Sequence, residues 1–442
     1  MDTLNSNGKK RVVITRVGVV SPIGNCLEDF VSNSLNGFCG IRKISKWDKF
    51  PWFKNPEAVK VYVAGEVDDP IIPENILSKK EQRRNARFVR FGVAAANEAF
   101  NHSRYSTQLF LPSDDPYRVG IIMGTGAGGQ EESESEMDVL VNSARHIVSP
   151  FTIINRMPNS VSAMIAQLFE WENGFKIRGD NYVTTTACSS SLRAIGNAFR
   201  AIRDGYLVAC ISGGVEAAQS PLSIAGFYVS GALTENPDPS TACRPFSKLR
   251  NGFVMGEGCG ILVLESLEHA LARNAEHEIL AEVVGYGSTC DAYHITAPHP
   301  SGDGAYKAMA LACVDAGIIP NQIGYVNAHG TSTPLNDKIE TLAIKRLFAD
   351  YDSLPPVSSS KSKMGHTIGA AGALESIDTI LALKNSMIPP TIGWDQNDPE
   401  QRDPDCDLDY VPIARSMPDM VYGMKNNFGF GGHNDVVIYK KI

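Results

Sequence analysis

The sequence predicts a layered α/β protein on three observations. Short apolar, β-branched runs recur along the chain, several ending at glycine. Apolar residues at helical spacing lie between some of them, and the composition, 43% hydrophobic and 20% charged, is that of an ordinary globular chain. In order, the predicted strands are Val12 to Ile14, Val119 to Met123, Val208 to Ser212, Gly260 to Leu264, Leu280 to Val284, Ile323 to Val326 and Val436 to Tyr439. Leu192, Ile195, Phe199 and Ile202 line one face of a predicted helix. A buried sheet alone explains this alternation, so it bears on architecture and leaves the chemistry open.

With 442 residues the chain is long enough for a large core, and internally paired α/β folds of this size often form one unit. A charged stretch from His269 to His277 separates two strand-rich series without a flexible linker, which predicts one domain in two halves, 1–275 and 276–442. A net charge of -8 gives no global basis for binding nucleic acid, so an acidic partner must meet a local basic patch. Nine scattered cysteines without a C-x-x-C pair read as reduced thiols. The start, MDTLNSNGKK, has no apolar core behind its lysines, and no stretch approaches the roughly 20 apolar residues of a spanning helix; a cytoplasmic protein, away from membranes, is expected. The acidic run Glu131 to Glu136 reads as a solvated loop or helix start.

Three segments carry candidate chemistry. In NYVTTTACSSSLRAIGNAFRAIRDG, a β-branched strand passes through small residues into the amphipathic helix, with Cys188 at the helix start. Unpaired N–H groups and the positive end of the dipole there favour thiolate over thiol, and the same groups can hold an oxyanion. Taken alone, the segment fits an inert packed cysteine at least as well. In NAHGTSTP, Gly330 and Pro334 end a strand and leave His329 in a loop at a crevice; in SSSKSKMGHTIGAAGALESI, Lys361 precedes His366 by five residues, ahead of a small-residue helix. Singly, either histidine has a structural reading as good as a catalytic one, and neither has the spacing of a metal ligand. The segment MKNNFGFGGHNDVVIYKKI sets glycines 429, 431 and 432 around Phe430, as a mobile loop or a tight turn before a last strand. A basic segment, SKKEQRRNARFVRFG, carries Lys79, Lys80, Arg83, Arg84, Arg87 and Arg90 against Glu81 alone, a positive surface able to steer an acidic partner or simply a solvated helix face.

Together and in this order, RVVITRVGVVSPIG, VGIIMGTGAGG, TACSSSL, RPFSKLRNGFVMGEGCGILVLE, DAYHITAP, VNAHGTSTPLNDKIE, SKSKMGHTIGAAGALESI and NNFGFGGHN resemble the β-ketoacyl-acyl-carrier-protein synthases, specifically the elongating type II class and the discrete ketosynthases of polyketide systems. The resemblance implies the thiolase fold: two similar halves, each with a mixed five-stranded sheet, stacked in five layers. It implies decarboxylative condensation of malonyl-carrier protein with an acyl chain held on Cys188, using His329 and His366. Lys361 and Glu340 would support the histidine region, and the backbone N–H groups of Cys188 and Phe430 would form the oxyanion hole. Thr331 and Thr333 would hold the phosphopantetheine arm, while Lys80, Arg83 and Arg84 would meet the acyl carrier protein. Neither cofactor nor metal is implied. A homodimer is expected, with a heterodimer beside a chain-length factor as the alternative. Ser189, Ser190 and Ser191 after the nucleophile lie closer to the polyketide pattern, while Asn251 and His433 stand where aspartate and threonine are common. Rival readings are a non-decarboxylating thiolase, a cysteine-dependent acyl hydrolase and a non-catalytic scaffold partner. A thiolase normally carries a second catalytic cysteine where this chain has Phe430, and scaffold partners usually lack the nucleophile.

Overall fold

A computed structural model describes residues 2–102, 104–144 and 146–442. The first half supplies β1 (Val12–Val20), β2 (Val119–Gly124), β3 (Asn181–Thr184), β4 (Ala209–Glu216) and β5 (Gly258–Ser266); the second supplies β6 (Ala281–Cys290), β7 (Ile323–Asn327), β8 (Val357–Ser358), β9 (Tyr422–Gly429) and β10 (His433–Lys440). The helices that matter here are α1 (Arg87–Asn101), α2 (Gln130–Asn142), α3 (Ser160–Asn173), α4 (Ser190–Arg203), α5 (Asp303–Ala316), α6 (Pro334–Leu347) and α7 (Ala371–Asn385).

Hydrogen bonds run through ten strands in the order β8-β7-β9-β10-β6-β1-β5-β4-β2-β3. The two expected five-stranded sheets are therefore joined: β1 pairs antiparallel with β5 along most of its length and, at Val12 to Ile14, also with β6. Reading inward from each edge, both halves repeat one pattern, two parallel pairings followed by two antiparallel ones. The duplication invisible in the residues is thus plain in the topology.

Helices cover this sheet in layers. On the first half, α1 packs on β1, β5 and β4, and α3 on β2 and β3; on the second, α5 packs on β6 and β10, with α6 against α5. Between the halves lie α4, which touches β4 and β2, and α7, which touches β9 and β5. The sequence is helix, sheet, helix, sheet, helix. The apolar face of α4, Leu192, Ile195, Phe199 and Ile202, shares one buried cluster with Leu374 and Ile377 of α7 and with Tyr325 and Val437 of the second half. Each such fully buried side chain contributes about 1.5–3 kcal/mol of transfer free energy, so the central pair of helices is a main cohesive element between the halves.

All seven predicted runs fall on strands. β9 escapes the reading because YGMKNNFG interrupts its apolar residues with Lys425, Asn426 and Asn427, yet all three are buried. The acidic run is a helix start, the second of its two readings: it opens α2, though not as a solvated face, since buried Glu134 accepts hydrogen bonds from Gln130 Nε2 and the Leu222 N–H. Burial pushes the Glu131 carboxyl up to about 7 despite Arg87 3.8 Å away. Of the six basic residues, Lys79, Lys80, Arg83 and Arg84 are exposed, but Arg87 is buried against Glu257 and Asp69, and Arg90 leans on Asp69 at 3.4 Å. The exposed positive surface is therefore four residues wide, with Lys79 paired to Glu74 at 3.1 Å, because Arg87 and Arg90 turn to carboxylates of their own neighbourhood.

Candidate active site

Cys188 lies in a 3₁₀ turn, Ala187–Ser189, between β3 and α4. The turn is tight. Ala187 takes φ 52°, a left-handed conformation that costs a non-glycine residue on the order of 1 kcal/mol. The three serines that follow hold it: Ser189 Oγ donates to Thr186 O at 3.0 Å, Ser190 Oγ to Ala187 O at 2.6 Å, and Ser191 Oγ accepts the Ala373 N–H of α7 at 2.9 Å. Two glycines leave room for it. A Cβ at Gly124 would collide with the backbone of Ser190, and one at Gly429 would stand 2.6 Å from Thr186 O and 3.2 Å from Cys188 N.

At the sulfur, burial opposes the effect expected from the helix terminus. Burial pushes Cys188 up to about 12, outweighing the favourable nearby charge of Lys361 and the hydrogen bond from the Phe430 N–H. A helix end lowers a thiol's pKa when water still reaches the sulfur, and here the sulfur is covered.

His329 stands two residues beyond β7, and Glu340, on α6, fixes its backbone: Oε1 accepts the His329 N–H and Oε2 the Gly330 N–H, each at 2.8 Å. Asp337, which the sequence reading missed, does the same one step on, accepting the N–H groups of Thr331 and Ser332. The ring is oriented by Lys361 Nζ and Asn427 Nδ2, both 3.3 Å from Nδ1. Two donors at Nδ1 make it the acceptor, so the ring proton resides on Nε2. Lys361 in turn pairs with Glu375 Oε1 at 2.6 Å.

His366 follows β8 and is pinned to the segment GFVMGEG: its N–H donates to Val254 O at 2.7 Å, and the Gly256 N–H donates to its carbonyl at 2.8 Å. Next to it Glu216, at the end of β4, accepts the Gly126 and Gly369 N–H groups, at 2.7 and 3.0 Å, linking loops of the two halves. The His366 ring is buried, and neither ring nitrogen has a hydrogen-bond partner among the described residues, as expected of a group that a ligand completes. Its centroid is 5.4 Å from that of His329, nearly perpendicular, and 5.2 Å from Phe253. Burial first, then the charge of Lys361, holds both imidazoles well below the ordinary histidine value.

Cys188, His329, His366, Thr331, Thr333 and Phe430 line one cavity of about 370 Å³. Thr331 and Thr333 share a 2.8 Å hydroxyl hydrogen bond, and Phe430 is partly exposed, 6.4 Å from Phe227 between ring centroids. Lys80, Arg83 and Arg84 lie outside the cavity on the surface, with Arg84 over the ring of Phe151. Residues missed by the sequence reading are Asp337, Glu216, Glu375, Asn427 and Lys425. The available signal was polarity out of place: Lys-Asn-Asn inside a buried strand, Glu375 and Asp378 in the apolar pattern of α7, and Glu216 in that of β4.

This layering is the thiolase fold, and the molecule is an acyltransferase of that class. Family models narrow it further: one described as beta-ketoacyl synthase, N-terminal domain, matches residues 9–270, and one described as beta-ketoacyl synthase, C-terminal domain, matches residues 280–395. The chain belongs to the β-ketoacyl synthase family, enzymes that transfer acyl groups and form carbon–carbon bonds. A 3-oxoacyl-[acyl-carrier-protein] synthase 2 of Staphylococcus aureus is 43% identical over 433 residues, spanning 98% of this chain and 99% of that protein. A type II polyketide ketosynthase solved with its acyl-carrier protein and a hexaketide superposes with TM-score 0.84 at 30% identity, covering 98% of this chain and 100% of that one. The ishigamide ketosynthase/chain length factor gives 0.82 at 33%, covering 98% and 100%. Among the described residues no helix is long and apolar enough to cross a membrane.

Proposed function

We propose that this chain is a 3-oxoacyl-[acyl-carrier-protein] synthase that lengthens a carrier-bound acyl chain by two carbons. The observation that carries the reading is the meeting of Cys188 with two uncharged imidazoles in one buried cavity. In the first stage the sulfur of Cys188 attacks the acyl thioester; the carrier's C–S bond breaks, one to Cys188 forms, and the thiol proton ends on the departing phosphopantetheine sulfur. Sulfur suits this step because one thioester is exchanged for another of similar energy. In the second stage malonyl-carrier protein loses carbon dioxide, and the electron pair of the broken C–C bond becomes an enolate. Its oxygen accepts from Nε2–H of His329 and from an N–H of His366, donors that must be neutral and dry. The enolate carbon attacks the acyl carbonyl, whose oxygen accepts the backbone N–H groups of Cys188 and Phe430. Collapse expels the Cys188 sulfur, which takes up one proton from water, the proton that decarboxylation of the malonyl carboxylate consumes overall. Electrons and atoms balance without a metal or redox cofactor.

Lys361 and Glu340 act as positioning groups, Lys361 on the ring of His329 and Glu340 on its backbone. Thr331 and Thr333 receive the phosphopantetheine arm at the cavity wall. Lys80, Arg83 and Arg84 receive the acidic carrier, supported by their exposure on a protein of net charge -8. A homodimer is supported by β3, an edge strand, and by the exposed apolar side chains Met137, Leu140, Val141, Ile153, Ile154 and Met157 in the same half. The cytoplasm is the compartment that suits nine unpaired cysteines. A second reading, a dedicated polyketide ketosynthase beside a chain-length factor, is favoured by the Ser189–Ser191 run and by two neighbours, one a type II polyketide ketosynthase and the other a ketosynthase/chain length factor.

Incubation with labelled acyl-carrier protein tests the proposal. Covalent label on Cys188, followed by malonyl-dependent extension by two carbons, is expected. Label that is released to water, or that never extends, refutes it. Extension only after addition of a chain-length factor selects the second reading.

A further inference from the structure

Lys425 is a buried ammonium behind the histidines that the reaction above leaves without a task. It is fully buried in β9, directly across the parallel ladder from Asn327. Its Nζ meets four oxygens: Glu375 Oε2 at 2.6 Å, Ala328 O at 2.9 Å, and Asn327 Oδ1 and O at 3.2 and 3.3 Å. An ammonium has three protons to share among them, so the cradle is fully engaged.

Each of those oxygens leads to the histidines. Asn327 and Ala328 are the two residues immediately before His329. Glu375 is held between Lys425 on one oxygen and Lys361 on the other, and Lys361 is the donor at His329 Nδ1. The next side chain on the same face of β9, Asn427, donates to His329 Nδ1 and to Cys188 O, both at 3.3 Å. Two ammoniums sharing one carboxylate also leave a surplus positive charge beside the imidazoles, which disfavours a second proton on either ring.

We infer that Lys425 is a positioning residue for decarboxylation: its ammonium clamps the two carbonyls entering His329 and aims Glu375 at Lys361, so that His329 is kept neutral with its proton on Nε2. This rests on the condensation reading given above. Burial holds the ammonium itself down at about 8, which leaves it charged at neutral pH.

The clamp is separable from acyl transfer, because none of its four oxygens touches the sulfur. In Lys425→Met, which keeps the length of the side chain, acylation of Cys188 from labelled acyl-carrier protein should persist within a few fold. Carbon dioxide release from malonyl-carrier protein should fall about 100-fold in kcat with little change in KM, in line with loss of one preorganised donor. Removal of a positive neighbour raises the imidazole pKa, so the acid limb of the remaining activity should move to higher pH. Lys425→Ala leaves space beside the same oxygens, and ammonium or methylammonium chloride should restore carbon dioxide release, whereas tetramethylammonium, which has no N–H to donate, should not. Wild-type release and pH profile in Lys425→Met overturn the inference, as does equal restoration by tetramethylammonium. If the Met variant fails to fold, rescue of Lys425→Ala decides alone. Wild-type protein that itself releases no carbon dioxide would instead sink the condensation reading, so the two failures are distinguishable.

Discussion

Cys188 sits among serines, glycines and backbone amides, whereas His329 and His366 sit above Lys361, Lys425, Glu375 and Glu340. The two walls occupy related places in the duplicated topology, Cys188 after β3 and His366 after β8, yet they are built differently. On the first wall backbone geometry does the positioning: a left-handed Ala187, serines folded back on their own turn, and a glycine pressed against the Cys188 N–H. The second wall is positioned by buried charge, with four ionisable groups arranged so that two imidazoles stay uncharged. One duplicated frame therefore supports a nucleophile that needs shape and a pair of donors that need electrostatics.

Substitutions on each wall sharpen that contrast. The largest effect is expected from Cys188→Ala, which removes the sulfur proposed to hold the acyl chain: condensation should fall on the order of 10⁴-fold or more, with the melting temperature retained. Carbon–carbon bond formation by the purified variant would break the assignment. On the other wall, His329→Ala and His366→Ala should each lower malonyl decarboxylation roughly 10²- to 10³-fold, as loss of one oxyanion donor does, while Cys188 still accepts label. Equal loss of both stages would show that the walls are not separable. The pH dependence follows the same logic. Because burial lowers both histidines, they remain neutral as pH falls through about 6.5, the ordinary imidazole value, and carbon dioxide release should stay flat there; an acid limb at that pH would place a charged imidazole in the resting site.

Away from the cavity the effects shrink. Joint reversal of Arg83 and Arg84 to glutamate should raise the KM for the carrier about 10-fold and leave kcat alone, more strongly at low salt. An unchanged KM would move carrier docking elsewhere. Outside catalysis altogether is a stability effect in the first half. Glu131 binds its proton more tightly in the fold, about 7 against an ordinary 4.5, so its contribution favours folding at acid pH and is lost as pH rises from 4.5 through 7. Glu131→Gln should flatten that loss and stabilise the protein at pH 8 by on the order of 2 kcal/mol, read from denaturant midpoints.

Sequence alone determined the alternation of strands and helices, the segments bearing Cys188, His329, His366 and Phe430, and, through eight motifs, the family. Those features are local: strand periodicity, glycine at turns and short signatures are written in neighbouring residues. Tertiary structure decided what long-range contact decides. It paired Lys425 of β9 with Glu375 of α7, buried Arg87 of an apparently solvated basic face, and buried Glu134 of the acidic run. It also set burial, which raises the Cys188 pKa, against a helix terminus that lowers it, because a pKa depends on whether water reaches the group, and burial is set by residues far away in the chain.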